Sequence, residues 1–186
     1  NSDRRQRQMC IRDRIGIGPA KLSDIIIHLE RIYCESIGIE YMYIRHPNRV
    51  NWIQKWINRN GNHPSFNNEQ KKHILKKLNE AVTFESFLHK KYVGQKRFSL
   101  EGGESLIPAL DALIEESAKD GVEEFVVGMA HRGRLNTLTN IFGKPAQDIF
   151  SEFDGKDYEE EVFDGDVKYH LGWTSKRTTD LSLIHI

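Results

Sequence analysis

The residues with the most chemistry lie in one stretch, Gly128-Met129-Ala130-His131-Arg132-Gly133-Arg134-Leu135-Asn136. An imidazole and two guanidinium groups share a glycine-containing turn. The β-prone run Phe125-Val126-Val127 precedes it, and a helical pattern begins near Leu135. A strand that feeds a helix through such a turn leaves backbone N–H groups free at the helix start. That geometry favours phosphate or carboxylate. The alternative is a solvated basic turn.

A second histidine stands in Asp166-Val167-Lys168-Tyr169-His170-Leu171-Gly172, again beside a glycine. His131 and His170, with Arg132, Arg134 and Lys168 around them, are the only candidate active-site set. A metal site would need a third ligand, and none is suggested nearby. Nucleophilic catalysis would need a Ser or Cys in an elbow context, which is also missing. Two imidazoles can donate hydrogen bonds or protons to a carboxylate or developing oxyanion, with arginine as permanent charge beside them. Spacing alone does not bring His131 and His170 together.

The elements that must position this set fall into two parts. Residues 15–94 read as a helical region. Pro19 opens a first helix with the stripe Leu22, Ile25, Ile26, Leu29, Ile32 and Tyr33. A second helix runs from about Asn48 to Asn60, with Val50, Trp52, Ile53, Trp56 and Ile57 inward and Gly61 as its stop. Asn67 or Asn68 caps a third, whose Ile74, Leu75, Leu78, Ala81 and Val82 face inward, and Thr83 caps a short fourth that Gly94 closes. His28, His63, His73 and His89 are scattered there without ligand spacing, so surface or capping roles are expected.

After Gly94 the character changes. Phe98 to Gly103 makes a compact turn, and a helix follows from about Ser105 with Leu106, Ile107, Leu110, Leu113 and Ile114 inward. Phe125 to Val127 supplies a strand, the next helix continues to Gly143, and Pro145 starts another. Helix, strand, helix in this order suggests an α/β layer opening a parallel sheet. The acidic loop from Asp154 to Asp166 lacks the ligand alternation of a calcium loop and reads as solvated.

The chain has 186 residues, 38% hydrophobic and 29% charged, as in a soluble globular protein. No apolar run approaches the roughly 20 residues of a membrane helix. Cys10 and Cys34 give neither a disulfide framework nor a paired metal spacing, and a reducing compartment is the default. Both ends look foreign. The Arg-rich run 4–14 and the closing Leu181-Ser182-Leu183-Ile184-His185-Ile186 resemble translated sequencing adapters, so 1–14 and 181–186 are set apart from the fold. Residues 4–14 hold five Arg and one Asp, so the remainder carries 22 basic and 26 acidic residues, a balance of −4 instead of zero. Such a chain has no bulk reason to seek nucleic acid or anionic membrane.

Three segments in order also carry a resemblance. Arg97-Phe98-Ser99-Leu100-Glu101-Gly102-Gly103-Glu104-Ser105-Leu106-Ile107-Pro108, the His131 stretch and Gly165 to Gly172 resemble the opening of the thiamine-diphosphate domain of the 2-oxoglutarate dehydrogenase family. Ile32 to Met42 is similar to that family's preceding helical region, and the resemblance covers roughly residues 15–180. It implies an α/β fold: a helical N-terminal region, then a truncated parallel-sheet thiamine-diphosphate domain over 95–180.

The resemblance also implies roles. Arg132 would contact thiamine diphosphate, while His131 and His170 would hold the 2-oxo acid and assist proton transfer at its carbonyl. The cofactor would take up the electron pair as carbon dioxide leaves. The succinyl group would then pass to the lipoyl domain of dihydrolipoyl succinyltransferase. A homodimer is implied, in the bacterial cytoplasm or the mitochondrial matrix, with no nucleic acid and no membrane as partner. The family's Mg²⁺ and diphosphate motif should follow Asp180 and is missing, as is its catalytic glutamate, so the expectation is an inactive fragment with no metal ligand of its own. A paralogue acting on 2-oxoadipate is the alternative within the chemistry. A basic-arm nucleic-acid module is the alternative from another class.

Overall fold

The computed structural model describes residues 15–154 and 172–179, together with the backbone of 183–185. The chain divides into two compact units, Asn1–Phe66 and Asn67–Ile186. The division falls well before residue 94, where the composition changes, because the long helix beginning at Asn68 belongs to the second unit.

In the first unit, α1 (Leu22–Tyr33) and α2 (Pro47–Asn60) pack through Ile32, Tyr41 and Ile57, with Ile44, Val50 and Ile53 beside them. α1 begins at Leu22 with Lys21 as its cap, three residues beyond Pro19. Gly61 ends α2 in the left-handed region at φ 64°, as its position at the helix stop requires. Asn62 follows, and its amide donates to the carbonyls of Ile32 and Ile37, both at 2.8 Å. Trp52 and Trp56 were expected inward but are 65% and 50% exposed. The buried stripe runs through Val50, Ile53 and Ile57, and each tryptophan precedes one of its members by a single residue. That places them about 100° around the helix, off the stripe.

In the second unit, α3 is one helix, Asn68–Lys91, rather than two. Asn67 caps it with a full capping box: its side chain accepts from the Gln70 N–H, and the Gln70 side chain accepts from the Asn67 N–H. Nothing between Glu80 and Phe84 breaks the helix, and a mid-helix Thr83 costs only a few tenths of a kcal/mol. Ala81, Phe84, Glu85 and Leu88 form the buried stripe, while Leu75 and Val82 stay exposed.

α4 (Leu106–Lys119), α5 (Arg134–Asn140) and α6 (Ala146–Asp154) complete the helices of this unit's described residues. Pro108 falls in the first turn of α4, where it is tolerated. α5 stops at Asn140, short of Gly143. α3 lies between two clusters. Ala81 meets Leu100, Ile107, Ile114 and Phe142 on one side, and Phe84, Leu88 and Tyr92 meet Leu135, Ile149 and Phe153 on the other. Burying a side chain such as Ile107 or Ile114 contributes about 1.5–3 kcal/mol. Lys144 and Glu152 form a buried ion pair.

The expected strand over 125–127 does not form. A single bridge residue stands at Glu124, and Val126 and Val127 are 90% and 39% exposed. A parallel strand is stable only with neighbours on its flanks and cover on its faces. Among the described residues none is supplied, and they contain no parallel sheet. The ladder among the described residues is antiparallel, β1 (Lys176–Thr178) against β2 (Leu183–His185), with Arg177 opposite Ile184. No helix among the described residues is long and apolar enough to cross a membrane.

Candidate active site

The His131 turn is held by another turn, Phe98 to Gly103, rather than by a strand. The Gly133 N–H donates to the Phe98 carbonyl at 2.9 Å. The Phe98 and His131 rings face each other at 4.9 Å between centroids, tilted by 35°. Arg132 is exposed, and its Nη1 donates to the Ser99 carbonyl at 3.0 Å. Arg134 donates to the Met129 carbonyl at 2.9 Å and so closes its own loop.

Gly133 is the hinge of this arrangement. It caps α5 at φ 75°, and a Cβ there would fall 2.6 Å from Leu100 Cδ1. Both the left-handed backbone and the close approach call for glycine. The free N–H groups expected at this helix start are partly used. Gly133 donates to Phe98 and Arg134 donates to the His131 carbonyl at 3.0 Å. With only seven residues, α5 makes no anion site of its own.

His170 and Lys168 lie outside the described residues, as does the acidic loop up to Asp166. The structure therefore places His131 and Arg132 together and gives no distance from either to His170. Among the described residues, no group of three or more His, Cys, Asp or Glu is placed to hold a metal ion. A cleft of about 290 Å³ in the first unit is lined by Ile32, Tyr33, Tyr41 and Ile57, among others, and contains no expected site residue. Burial, and then the Tyr41 phenol, push the Tyr33 phenol above its ordinary value.

Sequence reasoning missed the second layer. Glu85 and Asn136, which tie the two turns together, sit in a helical stripe where a polar residue reads as an interruption. It also left His73 without a partner, whereas His73 Nε2 lies 2.6 Å from Asp111 Oδ2. His89 pairs with Arg97 at 2.8 Å and His63 with Glu35 at 3.5 Å. Only the i, i+4 placement of Glu85 beside Ala81, facing the same side, hinted at a buried polar node.

No protein-family model matches the chain. It is 47% identical over 165 residues to the 2-oxoglutarate dehydrogenase E1 component of Cupriavidus necator, which covers 89% of this chain and 17% of that protein. The E1 components of Brucella canis and Brucella suis are 44% identical over 182 residues, 97% of this chain and 18% of theirs. The chain belongs, as a segment, to the 2-oxoglutarate dehydrogenase E1 family. It spans less than a fifth of the length of these E1 relatives. The 182-residue match leaves at most four of the 186 residues outside it, so both turns lie within the matched span.

Proposed function

We propose that this chain is a segment of a thiamine-diphosphate-dependent E1 enzyme that decarboxylates 2-oxoglutarate and delivers the succinyl group to a lipoyl carrier. The observation that carries the reading is 44–47% identity to 2-oxoglutarate dehydrogenase E1 components over 89–97% of the chain. In this reading residues 95–180 contribute the opening of the cofactor domain, and the intact protein is a cytoplasmic homodimer that engages neither nucleic acid nor membrane.

The residues fit those roles chemically. Arg132 presents an exposed guanidinium, anchored through Nη1 among the described residues, that can meet a diphosphate. His131, backed by the Phe98 ring, can orient a 2-oxo acid and hold a proton at its carbonyl oxygen, with His170 as the second imidazole. Thiamine diphosphate would supply the electron sink for loss of carbon dioxide. Its Mg²⁺ would need ligands that the described residues do not gather. This segment alone should be inactive.

The test is decarboxylation by the full-length protein containing this segment, with thiamine diphosphate and Mg²⁺, offered 2-oxoglutarate and 2-oxoadipate separately. Turnover of 2-oxoglutarate, abolished by His131→Ala, is expected. Preference for 2-oxoadipate would move the assignment to the paralogue, and turnover of neither would overturn it.

A further inference from the structure

Glu85 is a buried carboxylate that the proposed chemistry does not touch. It lies in the middle of α3 and is 3% exposed. Its Oε1 accepts from the Leu100 N–H at 3.1 Å and from Asn136 Nδ2 at 3.0 Å. The Asn136 amide also donates to the Ala81 carbonyl at 3.0 Å, and its Oδ1 accepts from Asn140 Nδ2 at 2.7 Å.

The two groups that Glu85 holds belong to the two turns of the site. Leu100 directly follows Phe98 and Ser99, which receive Gly133 and Arg132. Asn136 is three residues beyond Gly133 and fully buried. No β-ladder joins these turns. The Arg132 to Ser99 bond is exposed and the Phe98–His131 contact is only partly buried, so water competes for both. Beside the backbone bond from Gly133 to Phe98, the Glu85 node is the buried side-chain link between them, and a buried acceptor lost there leaves donors without a partner.

We infer that Glu85 is a positioning residue for His131 and Arg132, acting through Leu100 and Asn136 without contacting a ligand. The inference rests on the reading of His131 and Arg132 as the working pair. Its mechanism is acceptor geometry: one oxygen holds Leu100 and Asn136 and, with the Gly133 to Phe98 backbone bond, sets the separation of the two turns and so where the His131 ring lies on Phe98.

The test uses the 186-residue chain and the variants Glu85→Ala, Glu85→Gln and Asn136→Asp. Three quantities are read: the ring-current shift of the His131 side-chain protons, hydrogen exchange at the Gly133 amide relative to α3 amides, and the thermal midpoint. Glu85→Ala should abolish the shift and speed Gly133 exchange about tenfold or more relative to α3. Glu85→Gln should retain both, because its Oε1 can still accept both hydrogens. Asn136→Asp should lose both, since it has no hydrogen to donate and sets a carboxylate against Glu85. If Glu85→Ala fails to fold, the contrast between Glu85→Gln and Asn136→Asp decides. A lowered midpoint with the His131 shift and relative exchange intact would overturn the inference, as would loss of both in Glu85→Gln. No readout needs substrate or cofactor, so failure of the enzymatic reading would leave these results standing on their own.

Discussion

Arg177 Nη2 lies 2.6 Å from Oδ1 of Asp111, a carboxylate with 2% side-chain exposure and 66 residues earlier in the chain. Asp111 also meets His73 Nε2 at 2.6 Å and Lys77 Nζ at 3.4 Å, and Arg177 reaches Glu115 at 3.0 Å. The buried charge is thus surrounded by basic groups from α3 and from β1. Ser175 adds a hydrogen bond to the Phe142 carbonyl. These contacts fasten residues 172–179 to the helices, just beyond the segment that carries His170.

Asp111 is the buried member, while His73 is 55% exposed and Lys77 and Arg177 keep 16% and 17% exposure, so removing its charge forfeits charge-assisted hydrogen bonds of about 1.5–3 kcal/mol each. Asp111→Asn should therefore destabilise the chain strongly at neutral pH, measured by urea unfolding. The pH dependence has a definite sign. Burial alone would raise the Asp111 carboxyl, but hydrogen bonds from His73 and Arg177 and the charges of Lys77 and Arg177 outweigh it and hold it below the usual carboxylate range. Its folded value lies under the unfolded value of about 3.9, so its stabilisation is fully present above that value and is lost as pH falls through the folded one. The stability gap between the parent chain and Asp111→Asn should close as pH falls below the unfolded carboxylate value of about 3.9. A gap that persists unchanged to pH 2 would contradict this.

Gly133→Ala should be costly for two separable reasons. The left-handed φ of 75° costs an L-residue about 1–2 kcal/mol. The 2.6 Å approach to Leu100 Cδ1 adds overpacking of about 1–3 kcal/mol. In a Leu100→Ala background the second part should vanish and the first remain. A double-mutant cycle by denaturant unfolding measures the coupling. A coupling of zero would mean that the contact carries no energy.

How much of this could be read from the sequence depends on whether the signal was local. The caps at Asn67 and Gly61 were legible, because each acts on backbone groups within a few residues of itself. The grouping of His131 with Arg132 was legible because it is a single turn. Trp52 and Trp56 were misplaced because a stripe of period 3.6 looks wider on paper than the side of a helix that a small unit can bury. The strand over 125–127 was misplaced because a buried parallel strand owes its stability to neighbours in space, not to its own residues. Asp111 with Arg177, and Glu85 with Asn136, were invisible for a related reason. A polar residue in an apolar stripe announces neither its partner nor that partner's distance along the chain.

The unbroken α3 makes its cap a sensitive point. Asn67→Ala removes the acceptor for the Gln70 N–H at 2.8 Å and should cost about 1 kcal/mol. Amide exchange should rise first at Gln70, with Ala81 to Leu88 unaffected. A uniform rise along the helix would mean that α3 unfolds as one piece, with no separate fraying of its first turn.

Titration of the chain with thiamine diphosphate, with and without Mg²⁺, separates a cofactor site from an anion contact. Arg132 offers one exposed guanidinium, the N–H groups of Gly133 and Arg134 are already engaged, and no metal-holding group is present among the described residues. A single charge contact in water is worth at most about 1 kcal/mol, too little for appreciable occupancy at micromolar ligand. Calorimetry should show weak heats that are independent of Mg²⁺, diminish with added salt and are reduced by Arg132→Ala. Micromolar binding that requires Mg²⁺ would place a metal and diphosphate grip within these 186 residues and sink the claim that this segment holds only part of the site.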